Sequence, residues 1–406
     1  MDLEKVKLSL VKYNLKIQLY IGSSTVHEVP NELMLSMNIT EDYEQYIFPY
    51  FEIDIGVPNS VYRQMKANNQ SIKAMVLLQK GKFKEGVSVS TDSSVAFKNV
   101  FHQSFFVFLD DTTPELTETE QKLVEKSENK YGDIAVVRLL LYQHSFYTSY
   151  DLVVNKCLSN VTLVDVLTFL LNKCNVGNVL LSPPTNYTRF KQFILTPIPL
   201  KDQLERVCNT YSLHSAGTLI YFSFDRLYLI DKVPRCTAFT PNEHQITYIV
   251  TSTETQGTSQ VGGCYENSGD RYGVLNATNL NFKNKMEYTS KTIGTNIVSV
   301  DSEGTITKNT SNLSSVTNVV IQEDGDKHSL SSVQQTISES KRVLYVSFSN
   351  IDISMMTPNR QFVVTIEGVS KQKQYNGKYR IVKAAHIFEK EGNYFSVKTT
   401  AEFRGK

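Results

Sequence analysis

Residues 162–174 read TLVDVLTFLLNKC, and residues 193–231 read FILTPIPLKDQLERVCNTYSLHSAGTLIYFSFDRLYLID. Thr162 and Asp165 have the spacing of a capping box, with Asp in place of the usual Glu, and predict a helix start. Val164, Leu167, Leu170 and Leu171 then fall at helical spacing and make one apolar stripe. Cys174-Asn175-Val176-Gly177 ends that helix, and the Pro-rich loop Ser182-Pro183-Pro184-Thr185 leads to an extended Phe190–Leu195. A second helix follows Pro199, with Leu200, Leu204, Val207 and Tyr211 on its inner side. Ala216-Gly217 releases the chain into a hairpin with arms Leu219–Phe222 and Leu227–Ile230 and a turn at Phe224-Asp225-Arg226.

On the N-terminal side the pattern changes to period two. Ile47, Phe51, Ile53, Ile55 and Val57 suit a strand with one buried face. Pro58-Asn59-Ser60 ends it and offers an N-cap to a short helix, VYRQMKANN. Ile72–Leu78 is read as a strand that breaks at Lys80-Gly81-Lys82, and Phe101–Leu109 as another. Asp110 to Lys130 is acidic and helical, with Pro114 placed in the first turn, and Ile134–Leu141 returns to strand.

Beyond the hairpin, 44 of the 90 residues from Thr251 to Ser340 are Ser, Thr, Asn or Gly, and the segment's formal charge is −4. An independent core is not expected there, although Val298, Val300, Val319, Val320 and Ile321 suggest short strands. From Arg342 onward the chain reads as a β meander. Asn376-Gly377 predicts a tight hairpin turn, and Tyr379–Phe388 should pair with Tyr394–Phe403 across Glu391-Gly392-Asn393. In the last strand Phe395, Val397, Thr399, Ala401 and Phe403 share a face, and no tail is expected after Arg404-Gly405-Lys406. The expected class is therefore α+β, dominated by β.

Composition narrows the function. The 406 residues carry 42 basic and 41 acidic side chains, so no global field draws the chain to nucleic acid or anionic membrane. MDLEKVKLSL is not a signal peptide, and no apolar run reaches a membrane span; a soluble protein made in the cytoplasm is expected. Cys157, Cys174, Cys208, Cys236 and Cys264 form no CxxC and are expected as buried reduced thiols. Nucleophile-elbow, zincin, Walker and dinucleotide motifs are missing. Asp324-Gly325-Asp326-Lys327-His328, Asp301-Ser302-Glu303-Gly304 and the run Gly269–Gly273 read as polar turns. His386 lies in a strand, where packing or hydrogen bonding outweighs catalysis. No catalytic, cofactor-binding or metal-ligating residue is nominated.

The block from Val161 to Asp231 resembles the hub proteins of long-tailed phage baseplates, including the late control protein D group. Pro199, Leu204, Gly217, Tyr228 and Asp231 stand at the places of that family's strand, Pro, helix, Gly and hairpin. At the other end, YNGKYRIVKAAHIFEKEGNYFSVKTTAEFRG is similar to its closing meander, through Gly377, Tyr379, His386, Tyr394 and Arg404. The strand, Pro58, helix and strand order near the N-terminus is also like its first tube-type domain. The resemblance spans about two-thirds of the chain and rests on the order of turn and packing signals.

What it implies is mechanical. Two tail-tube-like β domains are expected, each with a short helix. Residues 1–110 would form the first, 111–155 a linker helix and strand, and 156–250 the helix-hairpin part of the second. Residues 251–340 would be a polar insertion, and 341–406 a meander completing the second domain. Three copies would form a ring that joins a sixfold tail tube to a threefold spike, with edge strands of neighbours pairing. The implied partners are further copies of itself, the tail tube protein, the central spike protein and baseplate wedge or tape-measure proteins. Genomic DNA would pass only as cargo, and the place of action would be the virion's tail baseplate. A wedge or tail-tip host-binding subunit is the alternative, and a hydrolase on a β scaffold a more distant one.

Overall fold

The computed structural model describes residues 9–22, 25–44, 50–84, 95–110, 114–147, 149, 151–174, 179–181, 184–211, 213–214, 217–223, 227–231, 243–250, 260–266, 276–283, 295–300, 306–309, 318–323, 342–358, 361–367 and 376–405. The first strands are β1 (Ser9–Ile21), β2 (Thr25–Glu28), β3 (Met34–Asp42) and β4 (Tyr50–Pro58). Helix α1 (Asn59–Ala67) follows, then β5 (Ile72–Lys84), β6 (Lys98–Asp110), α2 (Glu118–Tyr131), β7 (Ile134–Gln143) and α3 (His144–Tyr147).

Several local expectations hold and several shift. Pro58 itself is the N-cap of α1, with no side-chain cap, so Asn59 and Ser60 are already helical. β5 does not break at Gly81. The strand runs to Lys84, and a Cβ at Gly81 would stand 2.7 Å from Val95 Cγ1, so glycine admits the close approach of the chain before β6. α2 starts later than expected. Thr117 caps it in a full capping box with Glu120, and Pro114 lies outside the helix.

A second unit comprises β8 (Val153–Thr162), α4 (Leu163–Lys173), β9 (Val179–Leu181), β10 (Arg189–Pro199), α5 (Leu200–Thr210), β11 (Thr218–Phe222) and β12 (Leu227–Asp231). The Thr162–Asp165 capping box forms as read. The buried stripe of α4 is Leu163, Val166, Leu167, Leu170 and Leu171, with Val164 only partly covered. Pro199 caps α5, whose Leu200, Leu204, Val207 and Cys208 are buried against α4 and β10. β10 pairs antiparallel with β8, and β12 lies between β11 and a parallel β9.

The hairpin β11–β12 is buried on both faces. Leu219, Tyr221, Tyr228 and Ile230 belong to the core of the large sheet, while Ile220, Phe222, Leu227 and Leu229 belong to the core around α4 and α5. Alternation along each strand thus welds two cores through one hairpin. Each fully buried side chain of this size contributes roughly 1.5–3 kcal/mol.

The remaining strands are β13 (Glu243–Val250), β14 (Gln260–Glu266), β15 (Asn276–Lys283), β16 (Thr295–Val300), β17 (Ile306–Asn309), β18 (Asn318–Glu323), β19 (Arg342–Ser349), β20 (Gln361–Glu367), β21 (Gly377–Glu391) and β22 (Tyr394–Gly405). β16, β17 and β18 form a small separate sheet. The polar segment therefore also supplies β14 and β15 to the large sheet, which sparse apolar residues did not announce. β20 ends at Glu367 and β21 begins at Gly377, so Asn376-Gly377 opens a strand instead of forming a two-residue turn. The turn at Gly392-Asn393 does form. Gly392 has φ +62°, as the first central position of a type II′ turn requires.

Among the described residues the large sheet has fourteen strands and closes on itself twice. β1, β5, β6, β7, β4, β3, β21 and β22 make one ring, and β22, β19, β15, β14, β13, β20 and β21 make another. Both rings use the terminal hairpin β21–β22, whereas the sequence assigned that hairpin to the second module alone. β8, β9, β10, β11 and β12 pair only with one another.

The seam between β1 and β22 is stitched by the residues after β19. Val11 N–H donates to the Asn350 carbonyl (3.1 Å), and Asn350 N–H donates to that of Val397 (2.7 Å). Asn350 sits at φ +53°, a conformation Asn tolerates better than most residues. Tyr13, fully buried, donates its hydroxyl to Ile351 O and accepts from Ile353 N, both at 2.8 Å. Lys80 on β5 pairs with Asp352 at 2.7 Å.

Candidate assembly surface

Three features bear on function: a polar junction and an aromatic row on the first ring, and the outward face of the separate β8–β10 sheet. The junction lies where β3, β21, β22 and β11 meet. Glu41 accepts from Tyr43 (2.7 Å) and Tyr221 (2.9 Å), and one of its oxygens is 3.4 Å from His386 Nε2. His386 is buried, with Nδ1 2.8 Å from Thr399 Oγ1. Burial, reinforced by the Glu41 charge, holds both tyrosine hydroxyls well above their ordinary pKa. Beside it, Glu44 pairs with Arg380 and Arg404, each at 2.7 Å, and Lys383 with Asp42 at 2.6 Å. Paired in this way, the charges specify how the helix unit and terminal hairpin seat on the first ring.

The aromatic row runs around the outside of the first ring. Inward positions such as Phe51, Phe105, Val107 and Leu141 fill the core, so their neighbours point out. Strand register then aligns Val26, Tyr20, Lys73, Phe106, Tyr142 and Tyr50 across β2, β1, β5, β6, β7 and β4. The next outward row adds Phe108 opposite Leu140. Tyr147 of α3, 42% exposed, lies over these rings, 5.1 Å from Phe106, 5.4 Å from Phe108 and 5.9 Å from Tyr142. His144 stacks on Phe106 at 4.4 Å, and burial together with nearby Lys73 lowers its pKa. The outside of a ring would ordinarily be polar. The sequence did carry a signal for this row: Phe105–Leu109 is apolar at both parities, which a strand with one wet face does not need.

The third feature is the two-stranded sheet β8–β10. Its inward side rests on α4 and α5 through Val154, Phe193 and Leu195. Its outward side presents Val153, Asn155, Cys157 and Ser159 beside Gln192 and Ile194, with Ile194 paired to Cys157. Val153 and Ile194 are 55% and 61% exposed; the six positions named carry no charge, and the exposed Arg189 and Lys191 stand at the Thr162 end of the sheet. Both outer edges of this sheet lack a strand partner among the described residues.

The cysteines divide. Cys174 and Cys208 are buried as expected, and burial pushes the Cys174 thiol up to about 12. Cys157 is exposed, against expectation, because β8 turns it outward. The Cys236 side chain and the acidic turns at 301–304 and 324–328 lie outside the described residues, as do the Cys264 side chain and the run 269–273. Among the described residues no group of three or more His, Cys, Asp or Glu could hold a metal, and no helix is long and apolar enough to cross a membrane.

A family model described as "Bacteriophage PBS1 gene 109 protein" matches residues 3–405. The chain shares its fold with a tail protein from Neisseria meningitidis MC58, at a TM-score of 0.53 and 8% identity over 97% of each chain. It also resembles the 43 kDa tail protein of prophage MuSo2 from Shewanella oneidensis, at a TM-score of 0.50 and 10% identity over 95% of this chain and 96% of that one. No curated protein matches the sequence.

Proposed function

From the premise that the chain belongs to the bacteriophage PBS1 gene 109 protein family, we propose that it is a non-enzymatic structural subunit of a phage tail. Its place is the central baseplate hub, between a sixfold tail tube and a threefold spike. The observation that carries this reading is the pair of closed β rings built on one shared hairpin. Each ring is a wall segment, and one chain supplies two. Three chains then supply six segments and can meet a sixfold tube on one side while keeping threefold symmetry on the other. The partners follow from that position: further copies of this chain, the tube protein, the spike, and wedge or tape-measure proteins, with DNA passing as cargo.

The edge pairing expected between neighbours needs revision within this reading. Ring strands are already paired on both sides, so copies meet through outer faces and through the small sheets. The helix unit around α4 and α5 is a bracket held to the first ring by the double-faced hairpin β11–β12. Mass photometry of the purified chain tests the stoichiometry. The expected species has three times the 46.1 kDa chain mass; a stable lone monomer at working concentration contradicts the hub reading.

A further inference from the structure

Resting on the ring reading above, we propose that the aromatic row and the outward face of β8–β10 form one contact surface, and that its occupant is a second copy of this chain. Among the described residues, six of the eight exposed large apolar side chains collect there; Tyr187, ahead of β10 and 72% exposed, and Ile387 on β21 do not. Tyr20 and Val26 begin the row, Tyr147 crowns it, and Leu152, Val153 and Ile194 continue onto the sheet. Tyr147 and Val153 are six residues apart, so at most about 21 Å separates the two patches. The link is anchored, since Ser149 Oγ donates to the Lys173 carbonyl (3.3 Å) and Leu200 N–H to that of Leu152 (2.8 Å).

Area decides between a local blemish and an interface. The row crosses six strands. At about 4.8 Å spacing it is ~24 Å long, and two outward rows deep it covers roughly 340 Å². The β8–β10 face, ten residues by two strands, adds roughly 330 Å² at about 3.3 Å per residue. Neither patch alone approaches the ~800 Å² per partner of a standard interface, but together they come near it. Exposed Val153 and Ile194 on a sheet whose edges are open among the described residues are also what a lone soluble chain avoids. A neighbouring copy in a ring covers such a face permanently.

The test uses the full chain with Val153→Glu and Ile194→Glu, singly and together, and Ile387→Glu as the control. Ile387 is 46% exposed on β21, separated from the row by Asn38 and Glu52. Mass photometry is read beside circular dichroism. The expected result is a three-chain wild type and control, and a single-chain, folded double variant. A wild type that is multimeric while the folded double variant keeps its mass overturns the contact and leaves the ring reading standing. A single-chain wild type removes the ring reading and the contact with it. A two-chain wild type that the variant splits keeps the contact and refutes threefold symmetry. Should the variants not fold, maleimide labelling of Cys157 in the native wild type decides: protection until dissociation supports the contact, and prompt labelling of the assembled protein overturns it.

Discussion

Replacing Tyr13 by Phe removes one oxygen from the seam between β1 and the residues that follow β19. The ring stays, with its edge-on contact to Phe388 at 5.1 Å, so the apolar packing is kept. What is lost is the hydroxyl that donates to Ile351 O and accepts from Ile353 N, each at 2.8 Å and in a fully buried position. Burial, helped by the Asp352 charge, already keeps that hydroxyl neutral, so no charge is lost. Two backbone groups are left buried without their partner. At ~1–3 kcal/mol for each, tempered by relaxation, the cost should be about 3 kcal/mol. Tyr20→Phe is the matched control, because its hydroxyl is exposed and makes only a 3.3 Å contact with Gln18; its cost should be within about 0.5 kcal/mol. Urea unfolding gives the difference, and hydrogen exchange at the Ile353 amide gives its location. If Tyr13→Phe matches Tyr20→Phe and the Ile353 amide exchanges no faster, the seam does not hold the first ring as argued.

Leu170→Ala removes a fully buried side chain from the core between α4 and α5 and should cost about 3 kcal/mol in urea unfolding; a loss under about 1 kcal/mol would mean the α4 face is not packed. Lys390 donates to Asn31 and is held by burial at a pKa of about 8, with the nearby Glu32 charge opposing the shift. Because the unfolded chain keeps that proton up to ~10.4, its contribution makes stability rise from about pH 8 to that value. The rise should shrink in Lys390→Met, and an identical pH profile in the variant would contradict this. Cys174 and Cys208 should resist maleimide in the native protein and react on denaturation, as mass spectrometry of labelled peptides will report; native labelling of Cys174 would show that its burial is wrong.

Local chemistry was readable from the sequence wherever a few neighbouring residues decide the outcome. The Thr162–Asp165 box, the helix after Pro199, the hairpin before Asp231 and the turn at Gly392 all depend on side chains within four positions of one another. Misplaced boundaries had local competitors. Thr117 with Glu120 is a stronger helix start than Pro114, and Val95 over Gly81 carries a strand through a glycine. Asn376-Gly377 has the composition of a tight turn, but its neighbours are claimed by pairing with Phe362 and Val363.

The closures belong to another class of information. Tyr13 meets Ile351 across 338 residues, and β21 meets β3 across a similar distance in sequence. Periodicity tells which face of a strand is buried, not which strand lies beside it. For the same reason the aromatic row was invisible as a row. Tyr20 and Tyr142 are unremarkable in their own strands, the apolar run Phe105–Leu109 marks a single strand of the row, and only register sets these residues side by side. The exposed Cys157 follows equally, since its direction depends on which side of β8 the helices occupy.

The most direct test is an image. Class averages of the purified chain in vitreous ice should show a threefold particle with six β lobes around an open centre, two lobes for each chain. A compact particle with a single chain, or a ring with only one lobe for each chain, would contradict the claim that both closed rings of this polypeptide build the wall.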